Sequence, residues 1–564
     1  MPVVPGRAAR RGTGRARPRR PGGLSAYAGA LEKLRLPVWL DGERHPGRPG
    51  STMTTGMLLG LLAWIGLSLT LEPIVDGEGL AWTAGAAGER FPYLVGGVLW
   101  GGAAGLGLWL VRRLLAGTAK GAPTAASVAE VVRVVILGGG FGGVSTARQL
   151  EQLLGRQPGL EVTVVSASNY LLFTPMLAEV AARSLEPAHI SAPVRVACPR
   201  TRFRWASVDA IDAEAQTVRV LLNGSGLPEV LPYDHLVLAL GGVPDYLGLA
   251  GVAEHSFALK TLEDANRLRN HVVNLLEQAD AETDPAERGR KLTFVVAGGG
   301  FAGTELCAAL HDMVLDVLPF FPSITPDDIR AVLVHSRPRI LPELGPELAE
   351  TALRTLRHRG IQVELGVRVA GANEDGVGLA DGRFLPTRTL VWTAGNQPNP
   401  ILARLPFELG RRGAVLTAST LQVKGHRNVW AIGDCAQVPD PHAGGQPFPP
   451  TAQHAMREGK WVAKNLVLAL SGSYPKPFRF RTIGFMVSLG RRTAAAELRG
   501  QRFSGLLAWL MWRAVYLGKL PGLEKQLRVL IDWVIDLFFP RDIALTTSAT
   551  EQGRNRRARP RRAA

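Results

Sequence analysis

Two short glycine runs are the part of this sequence best suited to chemistry. Gly138-x-Gly140-x-x-Gly143 and Gly298-x-Gly300-x-x-Gly303 lie about 160 residues apart. Each follows an apolar run, Val131 to Leu137 and "KLTFVVA", and each opens a helix-like stretch, "VSTARQLEQLLG" and "TELCAALHDMVLDVL". In a strand–loop–helix unit the first glycine permits a tight turn and the second lets backbone approach a pyrophosphate, while the third allows close helix–strand packing. The free N–H groups of the helix start then face the phosphates. One such run is a weak signal; two in the same context point to two bound dinucleotides. A carboxylate at the end of the next strand would hold a ribose 2′-hydroxyl. The strand "EVTVVS" ends instead in Ser166, which can still hydrogen-bond a ribose. "IRAVLVHS" ends in His335 and Ser336, with Arg337 and Arg339 beyond. That second site leaves room for a 2′-phosphate, so NADH and NADPH both stay open as donors.

Other chemistries are disfavoured. The three cysteines, Cys198, Cys307 and Cys435, contain no Cys-x-x-Cys pair, which argues against a disulfide scaffold, a zinc or other metal site and a redox dithiol. They read as small buried hydrophobes in a reducing compartment. The formal charge of +17 invites a nucleic-acid reading, but its location argues against one. Residues 1 to 22 carry seven arginines, and residues 554 to 562 carry six more. These Gly/Pro/Ala-rich ends, taken as tails over 1–50 and 546–564, cannot build a core. Anionic lipid is the partner they suit, with plain solvated ends as the alternative.

The positioning elements begin with two apolar stretches. Residues 54–71 are 18 residues without a charge, and residues 91–111 are 21 more with aromatic borders. Both are long enough to cross a bilayer. Basic residues flank the pair, including Arg112, Arg113 and Lys120, whereas the connection holds Asp76, Glu78 and Glu89 against Arg90. The positive-inside tendency therefore places both ends, and everything after residue 120, on the cytoplasmic side of the cell membrane as a multi-pass anchor. "AGTAKGAPTAASVAE" reads as a flexible linker.

A late strand, "HRNVWAIGDCAQVP", ends in Gly433-Asp434. Two dinucleotide loops followed by such a strand resemble the two-dinucleotide flavoprotein reductases. The segments 166–195, 298–310, 428–439 and 449–466 narrow this to a resemblance to the type II NADH dehydrogenases, single-chain NADH:quinone oxidoreductases that pump no protons. The likeness spans residues 131 to 545. It implies FAD at the first loop (Gly138, Gly140, Gly143, Ser166), with Phe173, Thr174 and Pro175 along the flavin and Gly433, Asp434 and Ala452 completing the site. It implies NAD(P)H at the second loop (Gly298, Gly300, Gly303, His335), approached by Gly395. Glu305 matches the family's glutamate for substrate binding and proton handling; Gln453 follows Ala452 between flavin and quinone. The plainer role for Glu305 is a helix-start acid favoured by the macrodipole. Two departures concern the acceptor. Met456-Arg457 stand where many members carry a second glutamine, and Thr482-Ile483 stand where many carry a charge.

Residues 504–543 show helical apolar spacing at Leu506, Leu507, Leu510, Met511, Ala514 and Leu517, then at Leu527, Leu530, Ile531, Val534 and Leu537. With Arg513, Lys519, Lys525, Arg528 and three tryptophans (Trp509, Trp512, Trp533), they read as amphipathic helices seated at a membrane, with core packing as the alternative. The expected fold is α/β: two Rossmann-like dinucleotide-binding domains (FAD/NAD(P)-reductase fold), an N-terminal transmembrane hairpin and membrane-associated C-terminal helices. The FAD part covers 131–255 and 401–476, the nucleotide part 256–400 and the C-terminal region 477–545. Expected partners are membrane lipid, quinone and NAD(P)H, no nucleic acid, with a homodimer left open. A reductase with another acceptor and an NAD(P)H-sensing flavoprotein that does not turn over are the rival readings.

Overall fold

The computed structural model describes residues 56–57, 59–61, 91–116, 131–154 and 159–545. Both basic tails, most of the stretch 54–71, the connection after it and the linker at 117–130 lie outside the described residues. The chain divides into two compact units, residues 1–61 with 96–120, and residues 62–95 with 121–564. Helix α1 (Phe91–Ala116) is long and apolar enough over Tyr93–Val111 to cross a membrane, alone in this among the described residues. Within the smaller unit a Cβ on Gly56 would strike the Gly101 carbonyl, and one on Gly60 the Gly97 carbonyl. Glycines four apart on both sides let two helical backbones meet closely.

The larger unit is built on two sheets, the first parallel at its centre with an antiparallel edge and the second parallel throughout. Strands β1 (Val132–Leu137), β2 (Leu160–Ser166), β3 (Arg202–Asp212), β4 (Thr217–Leu222), β5 (Pro228–Pro232) and β6 (His235–Leu238) form the first. The later strand β12 (Val429–Ala431) joins it, giving the order β12-β6-β1-β2-β3-β4-β5. β1 alternates as its period demands: Val134 and Ile136 enter one core, Val135 and Leu137 the other. Burial on both faces explains its apolar run from Val134 to Leu137. The second sheet is parallel throughout, in the order β7-β11-β8-β9-β10. Its strands are β7 (Phe257–Ala258), β8 (Thr293–Ala297), β9 (Arg330–His335), β10 (Gln362–Leu365) and β11 (Thr389–Trp392). Two crossover segments, Gly242–Pro244 and Asn396–Pro398, pair antiparallel between the sheets.

Each glycine loop feeds a helix. α2 (Phe141–Leu154) follows β1, and α5 (Phe301–Val317) follows β8; between them come the short α3 (Leu177–Ala181) and α4 (Leu262–Asp280). α6 (Pro346–His358) follows β9, and α7 (Ala452–Leu470) packs along α2. A three-stranded antiparallel sheet, β13 (Gly484–Ser488), β14 (Ala494–Leu498) and β15 (Gln501–Ser504), then leads into α8 (Gly505–Lys519) and α9 (Leu523–Phe538). The α2–α7 contact depends on Gly459, whose absent side chain leaves room for the Gly142 carbonyl. The Gly459→Val variant is expected to lose about 1–3 kcal/mol of stability through overpacking. Urea unfolding followed by flavin fluorescence measures the loss.

Candidate functional site: two nucleotide loops and a buried carboxyl

At the first loop Gly138 has φ +121°. A Cβ there would collide with the Ala239 carbonyl, and one on Gly143 with the Gly138 carbonyl, so both positions require glycine. Gly140 has no atom within 4 Å of where its Cβ would lie, which leaves open backbone facing outward. This is the space that a pyrophosphate needs. Ser166 is buried at the end of β2, against the loop. Phe173 is 1% exposed and meets Phe141 and Tyr516 edge-on, at 5.7 and 6.0 Å between ring centroids. Thr174 and Pro175 form the turn that follows, with Thr174 exposed.

The late strand completes this side. Gly433 starts a turn with φ +69°, and its N–H donates to Glu458 Oε2 at 2.7 Å. Burial pushes the Glu458 carboxyl up to about 7, and the nearby Asp434 adds to the rise. Asp434 Oδ2 accepts from Asn396 Nδ2 at 3.0 Å and lies 4.0 Å from Lys260 Nζ. Ala452 and Gln453 open α7 behind the Thr451 cap.

The second loop repeats the first. Gly298 has φ +119°, and its Cβ would lie 2.6 Å from Thr393 Oγ1. Gly303 again abuts the carbonyl of the first glycine, and Gly300 is again open. Gly299 N–H donates to His335 Nδ1 at 3.1 Å. Gly395 sits against the Asp245 carbonyl, with no room for a side chain.

Glu305, two residues past that loop, is 9% exposed. Its Oε1 accepts from Ser488 N at 2.9 Å and from Trp512 Nε1 at 3.1 Å. Burial raises its pKa from 4.5 to about 8; the two hydrogen bonds oppose that rise, and Glu179 adds to it. A helix-start acid stabilised as an anion would shift the other way, so the plainer role does not fit. Glu179 on α3 accepts from Trp533 Nε1 at 3.0 Å, and burial raises its pKa as well. Trp512 packs on Tyr516 at 4.6 Å between centroids, and Tyr516 meets Phe173. Helix α8 thus links the carboxyl behind the second loop to the aromatic wall beside the first.

The family pattern described as pyridine nucleotide-disulphide oxidoreductase matches residues 132–459, and the one described as the NDH2 C-terminal domain matches residues 483–542. A type II NADH:quinone oxidoreductase of Mycobacterium tuberculosis is 32% identical over 420 residues, which is 72% of this chain and 86% of that protein. The chain belongs to this family. A probable NADH dehydrogenase of Dictyostelium discoideum is 31% identical over 74% of this chain and 92% of its own length. The structure of NDH2 from Plasmodium falciparum in complex with NADH shares the fold, with TM-score 0.67 and 17% identity, covering 73% of this chain and 99% of that one.

The expectation for the C-terminal tryptophans needs correction. Trp509, Trp512 and Trp533 are 7%, 1% and 3% exposed, so they line a core and do not anchor the chain to lipid. Two of their N–H groups serve carboxylates supplied by distant elements. Arg513, read as a punctuating surface cation, lies 3.8 Å from the Trp509 ring centroid and 4.7 Å from that of Trp533. The faces turned outward are different: Leu507 and Ile531, both counted in the helical spacing, are each 56% exposed. The three cysteines are buried, as expected, and burial pushes the Cys307 and Cys435 thiols up to about 12 and 11.

Sequence reasoning missed Glu179, Glu458, Ser488 and Tyr516. Of these, Glu458 carried a signal, because it falls on the stripe Ala455, Gly459, Val462 and Leu466 that α7 buries. Between about pH 4.5 and 8, native Glu305 keeps a proton that the unfolded chain has released. More protons are bound in the native state, so Glu305 lowers stability as pH rises through that window. The Glu305→Gln variant is expected to gain on the parent by up to about 1.4 kcal/mol per pH unit there. Urea midpoints at pH 5, 6, 7 and 8 measure it, and a constant difference would place the retained proton elsewhere.

Proposed function

We propose that this chain is a membrane-bound, FAD-dependent oxidoreductase that takes hydride from NADH and passes the electrons to a quinone, without pumping protons. The observation that carries the reading is the convergence of two open glycine loops on one aromatic and carboxyl cluster, Glu305–Trp512–Tyr516–Phe173. Its family membership supports the same donor and acceptor. Bound FAD supplies the hydride acceptor and the source of the electrons that reduce the quinone.

The first loop, with Gly138, Gly140 and Gly143, cradles the pyrophosphate of FAD, and Ser166 faces its ribose. Asp434, held by Asn396, would hold the ribityl end of FAD, and Phe173 to Pro175 with Ala452 would line the flavin. Gly298, Gly300 and Gly303 cradle the nicotinamide nucleotide, and Gly395 keeps the crossover low enough for it to approach. Gln453, in the first turn of α7 beside Ala452, is the residue assigned to hydrogen-bond the quinone headgroup. Reducing a quinone to a quinol takes two electrons and two protons. Glu305 is protonated at neutral pH, and because Oε1 receives both donors, Oε2 is the oxygen left to hold and release that proton. The desolvated surroundings keep competing water out.

Membrane attachment is supported by two surfaces. On α9 and just after it, Ile531, Ile535, Phe538 and Phe539 are exposed at helical spacing and suit a lipid interface. α1 with the helical residues around Gly56 and Gly60 forms one end of a transmembrane hairpin whose flanks face the cytoplasm.

Anaerobic stopped-flow on the detergent-solubilised protein tests the function. NADH should bleach the flavin band near 450 nm (an ordinary property of oxidised flavin), and a water-soluble quinone should restore it within the turnover time. Persistent reduction after quinone addition would overturn the assigned acceptor. In Glu305→Gln, FAD should remain bound while quinone reduction slows about a hundredfold, the scale of a lost general acid.

A further inference from the structure

We propose that the second loop accepts NADPH as well as NADH, with the 2′-phosphate received by Ser336 and Arg337 at the end of β9, where His335 stands in place of a carboxylate. This rests on the proposed reading of that loop as the nicotinamide-nucleotide site. β9 lies parallel beside β8, with Val334 in register with Ala297, so its end opens next to the Gly298 loop. In this arrangement the residue closing the second strand reads the adenosine ribose. A carboxylate there accepts the proton of a 2′-hydroxyl and repels a 2′-phosphate. His335 occupies the position and does neither.

The hydrogen bonding of the ring fixes what it offers. Nδ1 accepts from Gly299 N, and burial lowers the pKa of the ring, with Arg337 adding to the fall. A neutral imidazole whose Nδ1 accepts must carry its proton on Nε2. That Nε2 is buried, and the backbone of Arg339 lies close enough to favour its proton. The ring packs directly over the loop, so a side chain at Gly299 would collide with it. Ser336 and Arg337 are exposed beside it. Arg339, the other cation in this turn, is occupied with the Pro342 carbonyl at 3.0 Å. The nearby carboxylate on β10, Glu364, is taken by Arg383 at 2.8 Å. The end of β9 therefore presents an exposed hydroxyl and an exposed guanidinium and has no carboxylate at the reading position, a set that matches a phosphate dianion better than a ribose hydroxyl.

The test uses redox-inert probes, so it does not depend on quinone being the acceptor. Isothermal titration of the FAD-loaded full chain in detergent compares adenosine 2′,5′-bisphosphate with 5′-AMP. The bisphosphate should bind at least about tenfold more tightly, the difference that one additional charge-assisted hydrogen bond makes. His335→Glu should reverse the preference, and the surface variant Arg337→Ser, which leaves the strand intact, should reduce it severalfold. Equal affinity, tighter binding of 5′-AMP, or no measurable binding of the bisphosphate would overturn the proposal. If the preference is found and NADH-driven quinone reduction is not, the 2′-phosphate site stands and the acceptor assignment falls.

Discussion

A carboxyl group cannot be buried as an anion without large compensation, and Glu305 is buried between three elements distant in sequence. α5 carries it, β13 supplies the Ser488 N–H and α8 supplies the Trp512 indole. Desolvating an isolated charge costs several kcal/mol even after relaxation. Two donors on one oxygen reduce that cost without cancelling it, and the group stays protonated near neutrality. Much else serves this arrangement. If the C-terminal sheet and α8 moved away, Glu305 would be hydrated and its pKa would return toward the ordinary range. The proton it can hold therefore depends on the C-terminal segment being docked.

That docking uses charge as well as apolar area. Arg541 is buried and lies 3.2 Å from Asp536 on its own segment and 3.5 Å from Asp316 on α5. Arg491, in the turn between β13 and β14, reaches Asp316 at 2.8 Å and the Asp536 carbonyl at 3.1 Å. On the flavin side, Asp532 meets His189 at 2.6 Å, and Lys525 donates to the Ala188 carbonyl at 2.7 Å. α9 is thus tied both to α5 and to the segment following Phe173. Ion pairs of this kind add little net stability compared with well-packed apolar contacts. They do fix register, because a one-turn slip of α9 would leave buried charges without partners. Glu305, Glu179 and the tryptophans between them need that fixed register.

What the sequence disclosed follows the range of the interactions. The glycine loops were legible because their constraints are local: a positive φ, a carbonyl five residues away and an apolar strand before them. The burial of β1 and β8 on both faces could be read from their apolar stretches, Val134 to Leu137 and Phe294 to Ala297. The tryptophans were misread for a definite reason. A basic helix rich in indoles has the same pattern whether its N–H groups face lipid headgroups or buried carboxylates. The difference lies in Glu179 and Glu305, which are 354 and 207 residues from their indole partners. No periodicity reports contacts at that separation. Glu458 was closer to legible, since a lone acid on the buried stripe of α7 implies a donor waiting for it, here the Gly433 N–H.

The two halves of the chain use one scaffold for two purposes, and the scaffold itself does not separate them. Gly138 and Gly298 have φ values within 2° of each other, both third glycines abut the carbonyl of the first, and both middle glycines are open. The difference comes from what covers each helix. α2 is overlaid by α7, close enough that Gly459 sits on the Gly142 carbonyl, and the residue two past its third glycine is Ser145. α5 is overlaid by β13, and the corresponding residue is Glu305. A tight helix–helix lid suits a group that stays bound. A cover made of a sheet edge and a Trp-rich helix can instead hold a protonated carboxyl beside a site that exchanges its ligand at every turnover. The strand ends differ in the same way, Ser166 against His335. With the backbone geometry retained, the covering residues are what distinguish the two loops, and on the proposed assignment they distinguish a cofactor seat from a substrate site.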